Sequence, residues 1–262
     1  MSVVVEAWLA ALAVIVAIAL LAWAVSVVKR DVGIVDGLWS LFFLAAGLTT
    51  WWFADGQGTR PVLVLVLLAI WALRLSLHIF WRNHGKPEDY RYREMRERHA
   101  PFAVKSLYLV FGLQAGLAWF IALPLVVAVS TTPGTLGWID AAAVLLWLVG
   151  FVFEAGGDWQ LARFRGDPAN RGKVLASGLW RYTRHPNYFG DFCVWWAYFL
   201  FAVAAGGWWT VASPLLMSFL LLKVSGVALL EKTIGTRRPG YADYVDSTNA
   251  FFPGPPRQKE AT

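Results

Sequence analysis

Cysteine is all but missing. The single residue, Cys193, lies inside an apolar run, so neither a disulfide framework nor a thiolate metal site can be assembled. Charge is scarce as well. Asp, Glu, Lys and Arg make up 15% of the chain against 58% hydrophobic residues, too little polar surface to clothe a soluble domain of 262 residues. The common catalytic signatures are absent: no GxGxxG after a strand, no Walker A loop, no HExxH, no GxSxG. Any dinucleotide would therefore be held without a Rossmann fold. His78 is the one histidine inside an apolar run, which argues against a bis-histidine haem or a His-rich metal centre. No internal repeat appears at any fixed period. The N-terminus lacks a basic region and a small-residue cleavage site, so its first apolar run is expected to persist as a span.

Several apolar runs reach the roughly 20 residues that a bilayer demands. They predict an all-α polytopic membrane protein with seven transmembrane helices, at about 7–28, 34–54, 61–81, 102–129, 138–157, 188–205 and 208–230. The fifth is expected to run on as a polar helix toward Arg165, and Gly206-Gly207 to reverse the chain tightly before the seventh. Residues 1–253 read as one domain and 254–262 as a disordered tail. Of the 23 Lys and Arg, all but Arg60, Arg74 and Lys223 fall on one side of this topology. The positive-inside rule then puts the N-terminus outside and the C-terminus, with the long polar segments, in the cytoplasm. The net charge of +6 thus reflects topology, and no nucleic-acid partner is expected.

Charges inside apolar runs need a reason, since each costs about 2.5–3.5 kcal/mol at mid-bilayer. Arg74 and His78 are four apart on one helical face, and Asp36 stands one turn into the preceding span. They predict a polar pocket wall, with a purely structural Asp36–Arg74 ion pair as the competing expectation. Glu154, Asp158 and Arg165 fall at i, i+4 and i+11, one stripe suited to a ribose or amide and then a phosphate. Gly112 and Gly116 have the GxxxG spacing of helix packing. The most informative stretch is SGLWRYTRHPNYFGD, residues 177–191. It puts Arg181, Tyr182, Arg184 and His185 into a loop ahead of Pro186 and Asn187, which open a helix that Asp191 follows by one turn. Arginines before a helix start predict an anion site at the mouth of a bundle.

Several segments together resemble the bacterial branch of the steroid 5-alpha-reductase family: the 177–191 loop, WALRLSLHIFWR at 71–82, KPEDYRY at 86–92, GGDWQLARFR at 156–165 and EKTIGTRRPGYADYVDSTNAFFP at 231–253. The resemblance implies a seven-helix bundle, cytoplasmic NADPH, and reduction of a carbon–carbon double bond conjugated to a ketone. It carries the family's cofactor contacts onto Asp158, Arg165, Asn187 and Asp191, and onto Glu231, Arg237, Arg238, Tyr241 and Tyr244 of the tail. Where the animal enzymes polarise the substrate carbonyl with a glutamate and a tyrosine, this chain has Asp36 and Ile79. The acid survives in shortened form and the tyrosine does not. The expected catalytic residues are Asp36, as a protonated donor, with His78 and Arg74. The expected cofactor set is the loop and tail residues above with Glu154. The substrate is expected to be a lipophilic molecule from the bilayer of a bacterial inner membrane, with no metal. A similar RHPNY segment occurs in isoprenylcysteine carboxyl methyltransferases, so an S-adenosylmethionine-dependent membrane methyltransferase is the alternative. A transporter or lipid-binding protein is the non-enzymatic one.

Overall fold

The chain's architecture, a computed structural model, describes residues 2–54, 58–130, 135–224, 227 and 240–257. Among these residues every regular element is helical. They form two compact units, Met1–Asp140 with Phe201–Ser213, and Ala141–Leu200 with Pro214–Thr262. Five helices are long and apolar enough to cross a bilayer: α1 (Val3–Lys29), α2 (Ile34–Phe53), α3 (Thr59–Asn83), Phe102–Ile121 and α8 (Trp138–Gly166). They point to a multi-pass membrane protein.

In the first unit α1 buries a stripe of Ala7, Ala11, Ile15, Ala19, Ala22 and Ser26. Its large residues, Leu20, Leu21 and Val28 among them, face outward. Small residues inside and bulky ones outside suit a helix whose solvent is lipid. The helix ends where Arg30 turns left-handed (φ 54°), letting the N–H groups of Arg30 and Asp31 both donate to the Ser26 carbonyl. Trp8 and Trp119 stack at 4.0 Å, each indole donating to the other's backbone carbonyl. Helix α2 packs on α3 in antiparallel register. The Phe80 ring fills the space a Cβ on Gly37 would need, and Leu68 does so at Gly47. Arg60, the lone basic residue expected in an outer loop, is instead buried in a two-pronged ion pair with Asp140 at 2.7 and 3.0 Å.

The run expected as one span over 102–129 is broken into α5 (Phe102–Ser106), a π-helical turn (Leu107–Gly112), α6 (Leu113–Ile121) and α7 (Leu123–Ser130). Pro124 lacks the N–H that would continue α6. An added Cβ at Gly116 would meet nothing within 4 Å, so this glycine is not the packing contact its spacing predicts. At Gly206 (φ 83°) the chain makes the expected reversal, with Gly207 N–H donating to the Ala202 carbonyl at 2.7 Å.

The second unit is built on the crossing of α8 with α9 (Pro186–Ala204). A Cβ on Gly190 would lie 2.3 Å from the Glu154 nitrogen and 2.5 Å from the Gly150 oxygen. Backbone touches backbone there, which only glycine permits. Trp147 closes one end of the crossing by donating to the Tyr198 hydroxyl at 3.1 Å. The apolar stretch expected as a seventh span begins as a short turn (Trp208–Val211), α10 (Ala212–Phe219) and a π-helical turn (Leu220–Val224). A last helix, α11 (Tyr241–Ser247), belongs to the tail.

The two glycines make a paired prediction. Gly190→Ala must push α8 and α9 apart and should lower stability by about 3 kcal/mol. Gly116→Ala, in open space on a helix, should be neutral or stabilising by up to about 1 kcal/mol. Thermal midpoints of the two variants in one detergent compare them directly.

Candidate functional site

The 177–191 loop is clasped between α8 and the tail, all within the second unit. Gly178 (φ 62°) lies against the Gln160 amide, whose Oε1 accepts from the Leu179 N–H at 3.0 Å. Trp180 donates its indole N–H to the Gly157 carbonyl at 3.1 Å, and the Tyr244 hydroxyl donates to the Trp180 carbonyl. Thr183 donates to the Phe251 carbonyl at 2.8 Å. The Arg184 N–H donates to the Asn249 carbonyl, and its guanidinium to the carbonyls of Thr248 (2.6 Å) and Val245 (3.1 Å). The tail answers with Gly254 N–H to the Tyr182 carbonyl at 3.0 Å, and Arg257 N–H to the Ser247 carbonyl holds the chain through residue 257. Phe189, Phe192, Phe251 and Phe252 seal the contact edge to face.

The sequence-predicted cofactor residues divide accordingly. Asn187 Nδ2 donates to Asp158 Oδ1 at 3.0 Å, joining α9 to α8. Glu154 is buried, and its charge and that of Asp191 both act on the buried Tyr198 hydroxyl, a residue that sequence reasoning missed. Arg165, Arg181 and Tyr182 are exposed. Arg184 and His185 are buried, the former in the tail contacts and the latter stacked on Tyr188 at 5.7 Å. Tyr241 and Tyr244 are buried side by side on α11. Burial raises the Tyr244 phenol above its ordinary pKa, and Tyr241 adds to the rise. Glu231, Arg237 and Arg238 lie outside the described residues. Two hollows flank the end of α8. One, of about 340 Å³, is lined by Trp159, Gln160, Arg163 and Asn170 among others, and the other, of about 280 Å³, holds Arg165 and Arg171. Arg163 lies 5.5 Å over the exposed Trp159 ring.

The expected catalytic residues belong to the first unit. Asp36 does not pair with Arg74. Its Oδ2 accepts from Arg91 Nη2 at 3.0 Å and its Oδ1 from the Tyr92 hydroxyl at 2.6 Å. Helix register explains the difference. Gly37 faces Phe80, so Arg74, six residues earlier on α3, sits roughly 9 Å further along. Arg91 and Tyr92 open the short helix α4 (Tyr90–Arg98), whose N-cap Asp89 accepts from the Arg91 N–H and Nε at 2.9 and 3.0 Å. Burial raises the Tyr92 phenol well above its ordinary pKa, and the Asp36 carboxylate beside it raises it further. Burial also acts to raise Asp89, but the Arg91 hydrogen bonds outweigh it and hold the carboxyl below the usual range. So Asp36 is bonded as an acceptor, and the donors of the cluster are Arg91 and Tyr92, from a stretch that sequence reasoning weighed for a cofactor phosphate and not for the Asp36 site. His78 is half-buried on α3, with Trp81 6.1 Å away.

With this geometry in view, comparison with known proteins gives the family. Residues 22–248 match the family described as "Protein of unknown function (DUF1295)", and the chain belongs to it. It is also similar to uncharacterized protein C594.04c of Schizosaccharomyces pombe, at 26% identity across 88% of this chain and 75% of that protein. No solved structure matches.

Two predictions follow from these contacts. Arg184→Ala removes a charged donor from two tail carbonyls and should loosen the tail by about 2 kcal/mol. Limited proteolysis within 240–257 should then be roughly thirty-fold faster, with no cofactor present. Asp89 supplies a pH signature. A depressed carboxyl contributes stability that is fully present above its unfolded value of about 4 and lost as pH falls through its lower folded value. A spin label at Glu94→Cys in a Cys193→Ser background should stay immobilised from neutrality to about pH 4 and gain mobility below it. Asp89→Asn should abolish that step.

Proposed function

We propose that this protein is a membrane-embedded, NADPH-dependent reductase of the carbon–carbon double bond of a lipophilic α,β-unsaturated ketone. One observation carries the reading: the Asn187–Asp158 hydrogen bond at 3.0 Å joins two positions onto which the resemblance to steroid 5-alpha-reductases carries cofactor contacts. The donor set of the second unit fits such a ligand. Asp158 and Asn187 offer an acid and an amide to hydroxyl or carboxamide groups. Arg163, Arg165 and Arg171 at the adjoining hollows offer guanidinium forks to phosphates. Arg184, engaged by the tail, is left out of that set. When bound, NADPH supplies the hydride.

In the first unit the chain's own residues would stabilise the charge that grows on the ketone oxygen. Arg91 and Tyr92 are the donors, and Asp36 positions both by accepting from each. The raised phenol stays protonated at neutral pH and remains a donor. The topology that goes with this reading has seven crossings, the N-terminus outside, and the arginine-rich segments on the cytoplasmic face of a bacterial inner membrane, where NADPH is available. The substrate enters from the bilayer.

Purified protein titrated with NADPH should show a saturable rise in thermal midpoint, and S-adenosylmethionine should give none. Asp158→Ala or Asn187→Ala should weaken the NADPH response about tenfold, on the order of one lost hydrogen bond. Tyr92→Phe should leave it intact while slowing reduction of a lipid enone by roughly a hundredfold. Stabilisation by S-adenosylmethionine in place of NADPH would refute the reading.

A further inference from the structure

A hollow of about 500 Å³ in the first unit opens where α1 ends, α2 begins and α3 ends, closed by the segment after α3. Of its lining residues only Asp89 touches a donor of the proposed reduction, Arg91. Two of its three acids are ion-paired, and the third is bonded to a backbone N–H. Asp31 Oδ1 accepts from the Gly33 N–H at 2.9 Å. Glu88 accepts from the Val32 N–H and pairs with Arg96 at 2.8 Å. Asp89 is held by Arg91. Its three basic side chains are not engaged: among the described residues Lys29, His84 and Lys86 have no ion-pair partner. The rest of the wall combines Asn83 with Ile34 and Phe80, which stand near the ends of two bilayer-length helices.

Hydrogen-bonded acids, unpaired lysines and apolar side chains meet in this one hollow. Two lysines without an ion-pair partner outnumber the one carboxylate, Asp31, that has only a backbone donor, and they come from two chain segments, so the hollow suits a ligand with several acceptor oxygens rather than a lone carboxylate. Lysine binds phosphate as a point charge, and basic pockets among helix ends recognise lipid phosphates. We propose that this hollow binds a net-anionic phosphate ester through Lys29, His84 and Lys86. An anionic phospholipid headgroup and a soluble phosphoester share that chemistry.

The test uses the full chain in neutral detergent, with thermal midpoint as readout. The probes are dioleoylphosphatidylglycerol, dioleoylphosphatidylcholine, and inorganic phosphate at matched ionic strength. The wild type should be stabilised by phosphatidylglycerol or inorganic phosphate and not by phosphatidylcholine. K29Q/K86Q should need at least ten times more of the effective probe, with its probe-free midpoint unchanged. Lys105→Gln, a basic residue outside the hollow, should respond as wild type does. A response to the lipid alone assigns a headgroup, and a response to inorganic phosphate alone assigns a soluble phosphoester. An equal response in the double variant, or none in the wild type to either anionic probe, overturns the proposal. If the double variant does not fold, Lys86→Gln at an exposed position is read by the same criteria.

Discussion

Everything in the second unit follows from two helices touching backbone to backbone. Without a side chain at Gly150 or Gly190, α8 and α9 approach until the Glu154 nitrogen stands where a Cβ on Gly190 would be. At that separation Pro186 and Asn187 pack against Gly157, which brings the Asn187 amide to the Asp158 carboxyl. Trp147 and Tyr198 meet toward the other end of the same crossing. The loop before α9 must then descend along α8, where Gln160 and the Gly157 carbonyl receive it. Loosening the crossing would undo these contacts together, because each depends on one interhelical distance rather than on its own geometry.

Guanidinium groups supply many of the charged ties. Arg60 holds Asp140, Arg91 holds Asp36 and Asp89, Arg96 holds Glu88, and Arg184 holds the tail carbonyls. A planar fork with five donors can satisfy several acceptors from one position, which a lysine cannot. In a chain with so few charged residues, the basic excess therefore separates into arginines that tie elements together and cations that remain open. Lys29 and Lys86 in the first unit belong to the second kind.

The sequence made α1, α2, α3 and α8 legible because each is an uninterrupted apolar run closed by charge or turn residues. The 102–121 run was legible in the same way, but its π-helical turn and the separate helix after it were not, since hydropathy averages over Pro124 and cannot register such a turn. The Glu154–Asp158 stripe on α8 and the RHPNY loop meet through the Asn187–Asp158 hydrogen bond, and the Arg184 guanidinium donates to tail carbonyls. An arginine ahead of a helix start looks like an anion ligand, and nothing local shows that carbonyls more than sixty residues later need its protons. The neighbours of Asp36 were hidden for the same reason. Arg74 was its neighbour by adjacency of spans, whereas helix register and the docking of α4 gave it Arg91 and Tyr92.

That docking bears on how an acid is tolerated at the start of a membrane-length helix. Asp36 stands in the first turn of α2, where unpaired N–H groups favour negative charge. Two further donors arrive from α4, so both oxygens are satisfied. The dependence runs both ways: α4 is nine residues long, too short to be stable alone, and the Asp36 contacts help fix it. In the proposed reductase this recasts the missing tyrosine. Ile79 leaves α3 without a phenol, but Tyr92 brings one to the same acid from a different element. A substitution at Asp36 would then act by releasing α4 and its donors, so its effect should resemble loss of Tyr92 and Arg91 rather than loss of a proton donor.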